Sequence, residues 1–292
     1  MDVVVVEGGQ AGQAMARHLA QPELRFVVLG SQPGLGHTPV AQGGTRSRHS
    51  PPSPEKGHTM ATQEQKTVAF VLYPGLTLLD LVGPLQVFAS LRRFNDQYRP
   101  VVVAERIEPM PTDGPLTVTA DKTFGDVPDP TVVIVPGGDA PTIKAMGNQA
   151  IRDYLRRAAQ TVPVVGSVCT GALVLAAAGL LEGRNATTHW AYYRLLERLG
   201  ATYLPQRWVE DGKFITSAGV SAGIDMALAL VARLTDESTA RMVQLAIEYD
   251  PHPPFGGIDW SQVNRDVYEP MLGPMVQQQL ADRPELLTRL SG

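Results

Sequence analysis

Short apolar runs rich in β-branched residues alternate with stretches of helical periodicity through most of this chain. The runs at 68–73, 98–104, 131–135 and 164–168 are mainly apolar and β-branched and are bounded by turn residues, so they read as strands. Helical patterns fall at 78–93, 142–159, 170–180, 190–199, 224–234 and 237–249, with a short extended piece at 116–120. Two further short strands, 207–209 and 214–216, meet at Asp211-Gly212, a pair suited to a hairpin turn. Buried strands separated by helices predict a mainly parallel sheet with helices on both faces. The expected fold class is therefore a single α/β three-layer sandwich of flavodoxin-like type over 67–256. A tail at 257–292 carries one more helical pattern, 275–281, of unassigned docking.

The first 66 residues break this rhythm. Asp2-Val-Val-Val-Val6, Gly8-Gly-Gln-Ala-Gly12, a helix over 13–20 and Arg25-Phe-Val-Val-Leu29 compose a small βαβ unit at 1–30. Over residues 1–37 it resembles the start of flavin-dependent monooxygenases. The phosphate-binding fingerprint is broken, because Glu7 occupies the first Gly position and Gly30 stands where an acidic ribose ligand is needed. No further strands of that fold follow, so this unit is expected to be a truncated remnant and to hold no FAD or NAD. Residues 31–66 read as a Gly/Pro/Ser-rich linker, with Ser50-Pro-Pro-Ser-Pro54 unable to sustain helix or sheet. His37, His49 and His58 are scattered along it, so no metal site is expected there; Met60 then opens the segment that leads into the next strand.

Composition narrows the function classes. Of 292 residues 43% are hydrophobic and 18% charged, ordinary for a globular protein with a large core. The net charge of -4 disfavours nucleic-acid backbones. The N-terminus lacks the basic region of a signal peptide, so a cytoplasmic location is expected. Residues 162–181 carry no charge and approach the length of a membrane span, but Pro163, Gly166, Ser167, Thr170 and Gly171 divide them into strand, turn and helix. No membrane span is expected. A single cysteine, Cys169, excludes internal disulfides and Cys-rich metal sites.

Candidate chemistry lies at the carboxyl ends of strands, where open α/β sheets bind ligands. Cys169 sits in Ser167-Val-Cys-Thr-Gly171 at a strand-to-helix turn, the geometry of a nucleophile elbow. The helix N-terminus behind it is expected to lower the thiol pKa. Gly137 and Gly138, in Val135-Pro-Gly-Gly138, offer backbone N–H groups for an anion hole, or an ordinary turn. Asp80, between leucines in Leu78-Leu-Asp-Leu-Val82, is either a buried proton carrier with a raised pKa or a solvent-facing residue of a helix start. His189 is either an activator of the thiol or a cap for the helix beginning near Trp190. His252, between prolines, reads as structural.

Six motifs in order carry a resemblance over roughly 67–256. They are Leu79-Asp-Leu-Val-Gly-Pro84, Val135-Pro-Gly-Gly138, Ser167-Val-Cys-Thr-Gly-Ala-Leu-Val-Leu175, Gly183-Arg-Asn-Ala-Thr-Thr-His-Trp190, Ser217-Ala-Gly-Val-Ser-Ala-Gly-Ile-Asp225 and Pro253-Pro-Phe255. Together they resemble the ThiJ/PfpI superfamily, within the class I glutamine amidotransferase-like fold, and its isonitrile hydratase branch most. The resemblance implies a lyase with a cysteine nucleophile at Cys169 and an aspartate, where other branches place a glutamate, at Asp80. It also implies that Thr170 orients the thiol or a water, that no cofactor or metal takes part, that the partner is a small-molecule isonitrile, and that the chain is a homodimer. The expected reaction adds water to R–NC through a cysteine thioimidate and releases an N-substituted formamide.

Rival functions keep the fold and change the use. Glyoxalase or stress-protection branches use Cys, His and Glu together, and a redox-sensing thiol would oxidise without turnover. The ligand-binding halves of AraC-type regulators share the Ala186-Thr-Thr-His-Trp190 signature; the stretch after Tyr249 is expected to be too short and too proline-broken for their helix-turn-helix module. Amidotransferase hydrolysis needs Gly-x-Cys-x-Gly and His-x-Glu, but Ser167 occupies the first position and Trp190-Ala191 follow His189.

Overall fold

The computed structural model describes residues 3–7, 25–29 and 65–290. The two N-terminal strands, β1 (Val3–Glu7) and β2 (Arg25–Leu29), pair in parallel with Val3 opposite Arg25. The expected helix over 13–20, the Gly8–Gly12 turn and the linker with its three histidines lie outside the described residues.

From Lys66 onward the strands are β3 (Lys66–Val71), β4 (Tyr98–Ala104), β5 (Pro109–Pro111), β6 (Thr117–Thr119), β7 (Lys122–Thr123), β8 (Val132–Val135), β9 (Val164–Val168), β10 (Asn185–Ala186), β11 (Thr202–Tyr203), β12 (Trp208–Asp211) and β13 (Phe214–Ser217). Seven of them form one sheet in the order β12-β13-β9-β8-β3-β4-β7. Every pairing is parallel except that of β12 with β13, the hairpin read from Asp211-Gly212. Gly212 takes φ +61° there, the left-handed region that a tight hairpin turn needs. β8 and β9 are buried at every position, which is why their sequences are apolar on both faces.

The helices are α1 (Leu78–Leu91), α2 (Ala140–Met146), α3 (Gln149–Thr161), α4 (Gly171–Ala177), α5 (Tyr193–Arg198), α6 (Ala222–Leu234), α7 (Glu237–Ala246), α8 (Glu269–Gln279) and α9 (Pro284–Leu290). α1, α6 and α7 pack together on the sheet, and α2 to α5 with α8 and α9 form a second group, giving the expected three layers.

The helix expected over 142–159 is two helices. Asn148 has extended backbone, and its side chain accepts the N–H of Ile151 at 3.1 Å, so a new N-cap interrupts the pattern. The helix expected over 190–199 opens as a 3-10 turn, Trp190–Tyr192, before α5. The charge-free stretch 162–181 holds β9 and α4, and no helix among the described residues is long and apolar enough to cross a membrane. The tail packs onto the domain: Leu272, Val276 and Leu280 of the α8 segment and Leu286 and Leu290 of α9 are buried.

Candidate active site

The strand order reverses around β3 and β8, and the carboxyl ends of β3, β8 and β9 therefore meet at one edge. This is where an open parallel sheet leaves a crevice. Three segments converge on it: the start of α1 after β3, the Pro136–Gly138 turn after β8, and Cys169 after β9.

Cys169 takes φ +57°, an uncommon left-handed conformation for a residue with a Cβ. Neighbours hold it there. Its N–H donates to Ser217 O (3.1 Å) and Ala218 O (3.3 Å), and its carbonyl accepts the Thr188 hydroxyl at 3.0 Å. Cys169 lines a cavity together with Thr170 and Val220, whose backbone N–H groups pull its pKa down against burial.

Asp80 comes to the thiol from α1. Gly83, Pro84, Val87, Phe88 and Leu91 share its buried helical stripe, while Leu79 and Val82 face out. Of the two readings of Asp80 left open by its sequence, the structure places the side chain inward, fully buried. Its Oδ2 accepts the Gly137 N–H at 3.1 Å, Oδ1 has no hydrogen-bond partner among the described residues, and the carboxyl neighbours the Cys169 thiol. Burial pushes the carboxyl up to about 7, against the lowering pull of the thiol and the Gly137 N–H.

The thiol pKa moves opposite to the expectation. Burial, and then the negative charge of Asp80, push Cys169 well above the ordinary thiol range. The expected depression fails because α4 is a single short buried helix, whose terminal dipole does not offset desolvation and a neighbouring carboxylate. The two groups therefore sit as a pair, both withdrawn from solvent.

The N–H groups of Gly137 and Gly138, read as either an anion hole or an ordinary turn, are both engaged by side chains. Gly137 donates to Asp80, and Gly138 donates to Thr170 Oγ1 at 2.9 Å. Their role is to hold the pair's surroundings. Gly137 also lets three segments close up, since a Cβ there would lie 2.6 Å from Thr170 N and 2.8 Å from Asp80 Oδ2. The Thr170 hydroxyl, expected on the thiol or a water, lies 2.6 Å from the Gly138 carbonyl, to which it donates, and 3.0 Å from Thr142 Oγ1. Thr170 thus faces the sulfur with its backbone N–H and locks the β8 turn with its side chain.

His189 lines the cavity above the thiol. Its Nδ1 accepts the Ala191 N–H at 3.3 Å, the cap reading, and burial holds the ring below its ordinary pKa. It makes no hydrogen bond to Cys169. His252, read as structural, is exposed, and its Nδ1 lies 2.9 Å from the Asp250 carbonyl oxygen.

The cavity has a volume of about 310 Å³. Cys169, Thr170 and Gly138 form part of its lining, with Tyr192 and Asp139 joined by a hydrogen bond from the tyrosine hydroxyl. A larger cavity of about 710 Å³ lies by the α2–α3 break, away from the thiol. Among the described residues no cluster of three His, Cys, Asp or Glu side chains is placed to hold a metal ion. Val220, Asp139, Tyr192 and the α8 side chains are the parts of this site that sequence reading missed. Val220 lies within the Ser217–Asp225 motif, Asp139 one residue after the Val135–Gly138 motif and Tyr192 two after the Gly183–Trp190 motif, while the 275–281 pattern begins at Met275.

Residues 66–233 match the DJ-1/PfpI family. The chain is 43% identical over 188 residues to isonitrile hydratase of Pseudomonas putida, covering 64% of this chain and 80% of that one. It is 31% identical over 169 residues to the HTH-type transcriptional regulator CdhR of Pseudomonas aeruginosa, covering 56% of this chain and 49% of the regulator. A solved structure of a THiJ/PfpI family protein from Pseudomonas syringae superimposes with a TM-score of 0.66 at 33% identity, covering 82% of this chain and 97% of that one. A match over more than half the chain, with that sheet order and a cysteine at that bend, leads to one conclusion: the chain belongs to the DJ-1/PfpI family.

Proposed function

We propose that this protein is an isonitrile hydratase-like lyase, in which Cys169 is the nucleophile and Asp80 the proton carrier. The observation that carries the reading is the thiol of the chain's one cysteine facing a fully buried aspartate at a small cavity. The similarity to isonitrile hydratase of Pseudomonas putida supports it.

Above about pH 7 the pair holds one proton, and transfer from sulfur to Asp80 produces a thiolate beside a neutral acid. The N–H groups of Thr170 and Val220 favour the anion on sulfur. The thiolate attacks the terminal carbon of R–N≡C, forming the C–S bond, and that carbon takes the proton from Asp80 to give R–N=CH–S–Cys169. Asp80, again ionised, accepts a proton from water as its oxygen adds to the same carbon. The proton goes to nitrogen, the C–S bond breaks with its electron pair returning to sulfur while the adduct's hydroxyl proton passes back to the Cys169–Asp80 pair, and R–NH–CHO leaves. The sum is one isonitrile plus one water to one formamide. Glyoxalase-type use of Cys, His and Glu is less well served, because the His189 Nδ1 is committed to Ala191 and the α1 carboxylate is an aspartate. The implied homodimer belongs to the same proposal, with Leu79 and Val82 of α1 and Leu245 of α7 as exposed apolar side chains for an interface.

Turnover of a panel of alkyl isonitriles tests the reading. Wild type releases the formamide, Cys169→Ala and Cys169→Ser fall to background, and Asp80→Asn loses at least about a hundredfold in kcat, the range removed with a positioned acid–base group. Full activity in Cys169→Ala would sink it.

A further inference from the structure

One wall of the thiol cavity comes from beyond residue 233, where the family match ends. Tyr268, Met271, Leu272 and Met275 line it. Their spacing of three, four and seven residues places them on one stripe of α8 and its N-cap.

We infer that this stripe is the specificity wall of the site, and that it restricts the enzyme to small substrates whose substituent is uncharged and apolar. The inference rests on the hydratase reading for the reacting group, but not for the shape or polarity of the cavity.

Three observations carry it. First, α8 is held in place. Arg194 donates to Asp266 at 2.9 Å, Arg198 to Glu269 at 2.6 Å, and the Tyr193 hydroxyl to Asp266 at 2.6 Å, all from α5. Tyr268 meets the Trp190 ring edge to face, and Leu272 and Val276 are buried. A helix clamped to α5 at its start and seated by apolar side chains makes a wall with a fixed backbone.

Second, the volume of about 310 Å³ stands at the low end of the ~300–1,000 Å³ usual for small-molecule sites. Met275 is half-buried and Met271 lies at the rim, so their thioethers adjust the opening while Leu272 closes it.

Third, the lining contains no Lys or Arg, and its one carboxylate, Asp139, accepts from Tyr192. An anionic substituent would lose its hydration next to a carboxylate with no cation to receive it. A cationic one would be desolvated against methionine and leucine, and would compete with Tyr192 for the only acceptor of its charge.

The test uses the full chain, as wild type, Met275→Ala and Met275→Trp, with isopropyl isonitrile, cyclohexyl isonitrile and isocyanoacetate. Wild type is expected to favour isopropyl isonitrile over isocyanoacetate by at least a hundredfold in kcat/KM. Met275→Ala should raise the cyclohexyl-to-isopropyl ratio at least tenfold, and Met275→Trp should lower it. Alkylation of Cys169, the one cysteine of the chain, gives a readout independent of turnover. Relative to the denatured chain, iodoacetate should be disfavoured against iodoacetamide, and Met275→Ala should speed N-cyclohexylmaleimide at least fivefold. Unchanged size ratios in both Met275 variants overturn the wall, and so does iodoacetate reacting as readily as in the denatured chain. Absence of isonitrile turnover with the labelling pattern intact supports the wall and removes the hydratase reading alone.

Discussion

A carboxylate at position 80 costs free energy to fold, and the site is built on that cost. Asp80 titrates near 4 in an unfolded chain and at about 7 in the fold, because burial penalises the charged form. Between those values the folded state binds the extra proton, so stability falls as pH rises from ~4 towards ~7. The full penalty, on the order of 4 kcal/mol, is present above pH 7 and absent below pH 4. Asp80→Asn keeps a carbonyl oxygen for the Gly137 N–H and has no charge to desolvate. It is therefore expected to melt above wild type at pH 8, with the difference shrinking to nothing by pH 4. Thermal denaturation of both chains across that range checks this; a difference independent of pH would mean that Asp80 does not titrate with folding. Alkylation of Cys169 should show the kinetic counterpart, rising through about pH 7 in wild type as Asp80 becomes able to accept the thiol proton. The Asn variant should lose that rise.

At the scale of elements, the site depends on how closely three strand ends approach one another. Gly137 lies in the turn after β8, against the turn after β9 and α1, where an added Cβ would press on the Thr170 N and the Asp80 carboxylate. Gly137→Ala must part the two turns or push α1 outward, since backbone atoms on one side cannot give way like a flexible side chain. The expected outcome is a loss of about 2–3 kcal/mol in stability, typical of overpacking, together with a slower Cys169 alkylation that no longer follows the Asp80 titration. Denaturant unfolding and labelling kinetics measure both, and a fully active, equally stable variant would contradict the close approach.

These elements also show what a sequence can disclose. The 98–104 and 164–168 strands were legible to the residue, because β-branched runs closed by turn residues have few other readings. The break at Asn148 was not, because a helical pattern continues through it and the cap depends on one side-chain bond. Cys169 was legible as a candidate from its place at a strand end. The direction of its pKa was hidden, since it depends on burial and on Asp80, a residue far away in sequence. Val220 was hidden for a different reason: its contribution is a backbone N–H, which every residue but proline carries.

At the scale of the whole molecule, the sheet and its coverings lie within one stretch of chain. All seven strands of the main sheet fall between Lys66 and Ser217, and the helices that cover it fall between Leu78 and Leu290. The cavity draws its lining from Thr77 through Met275. β1 and β2 pair with each other and contribute no strand to that sheet. Residues Met60–Gly292 also separate as a compact unit from Met1–Thr59. A parallel sheet gains its stability from strands buried between two helical layers, and every strand and helix required for that burial is encoded after Met60. A chain beginning at Met60 is therefore expected to unfold in one transition within about 2 °C of the full-length protein, where ~1 kcal/mol moves the midpoint by ~2–4 °C in a domain of this size. Its kcat/KM towards isonitriles and its Cys169 labelling rate should match full length within about twofold. Calorimetry and the two rate measurements on both chains decide the matter. A drop of tenfold or more in either rate, with the melting transition unchanged, would assign the first 59 residues a part in the site that the sheet and the cavity lining do not require.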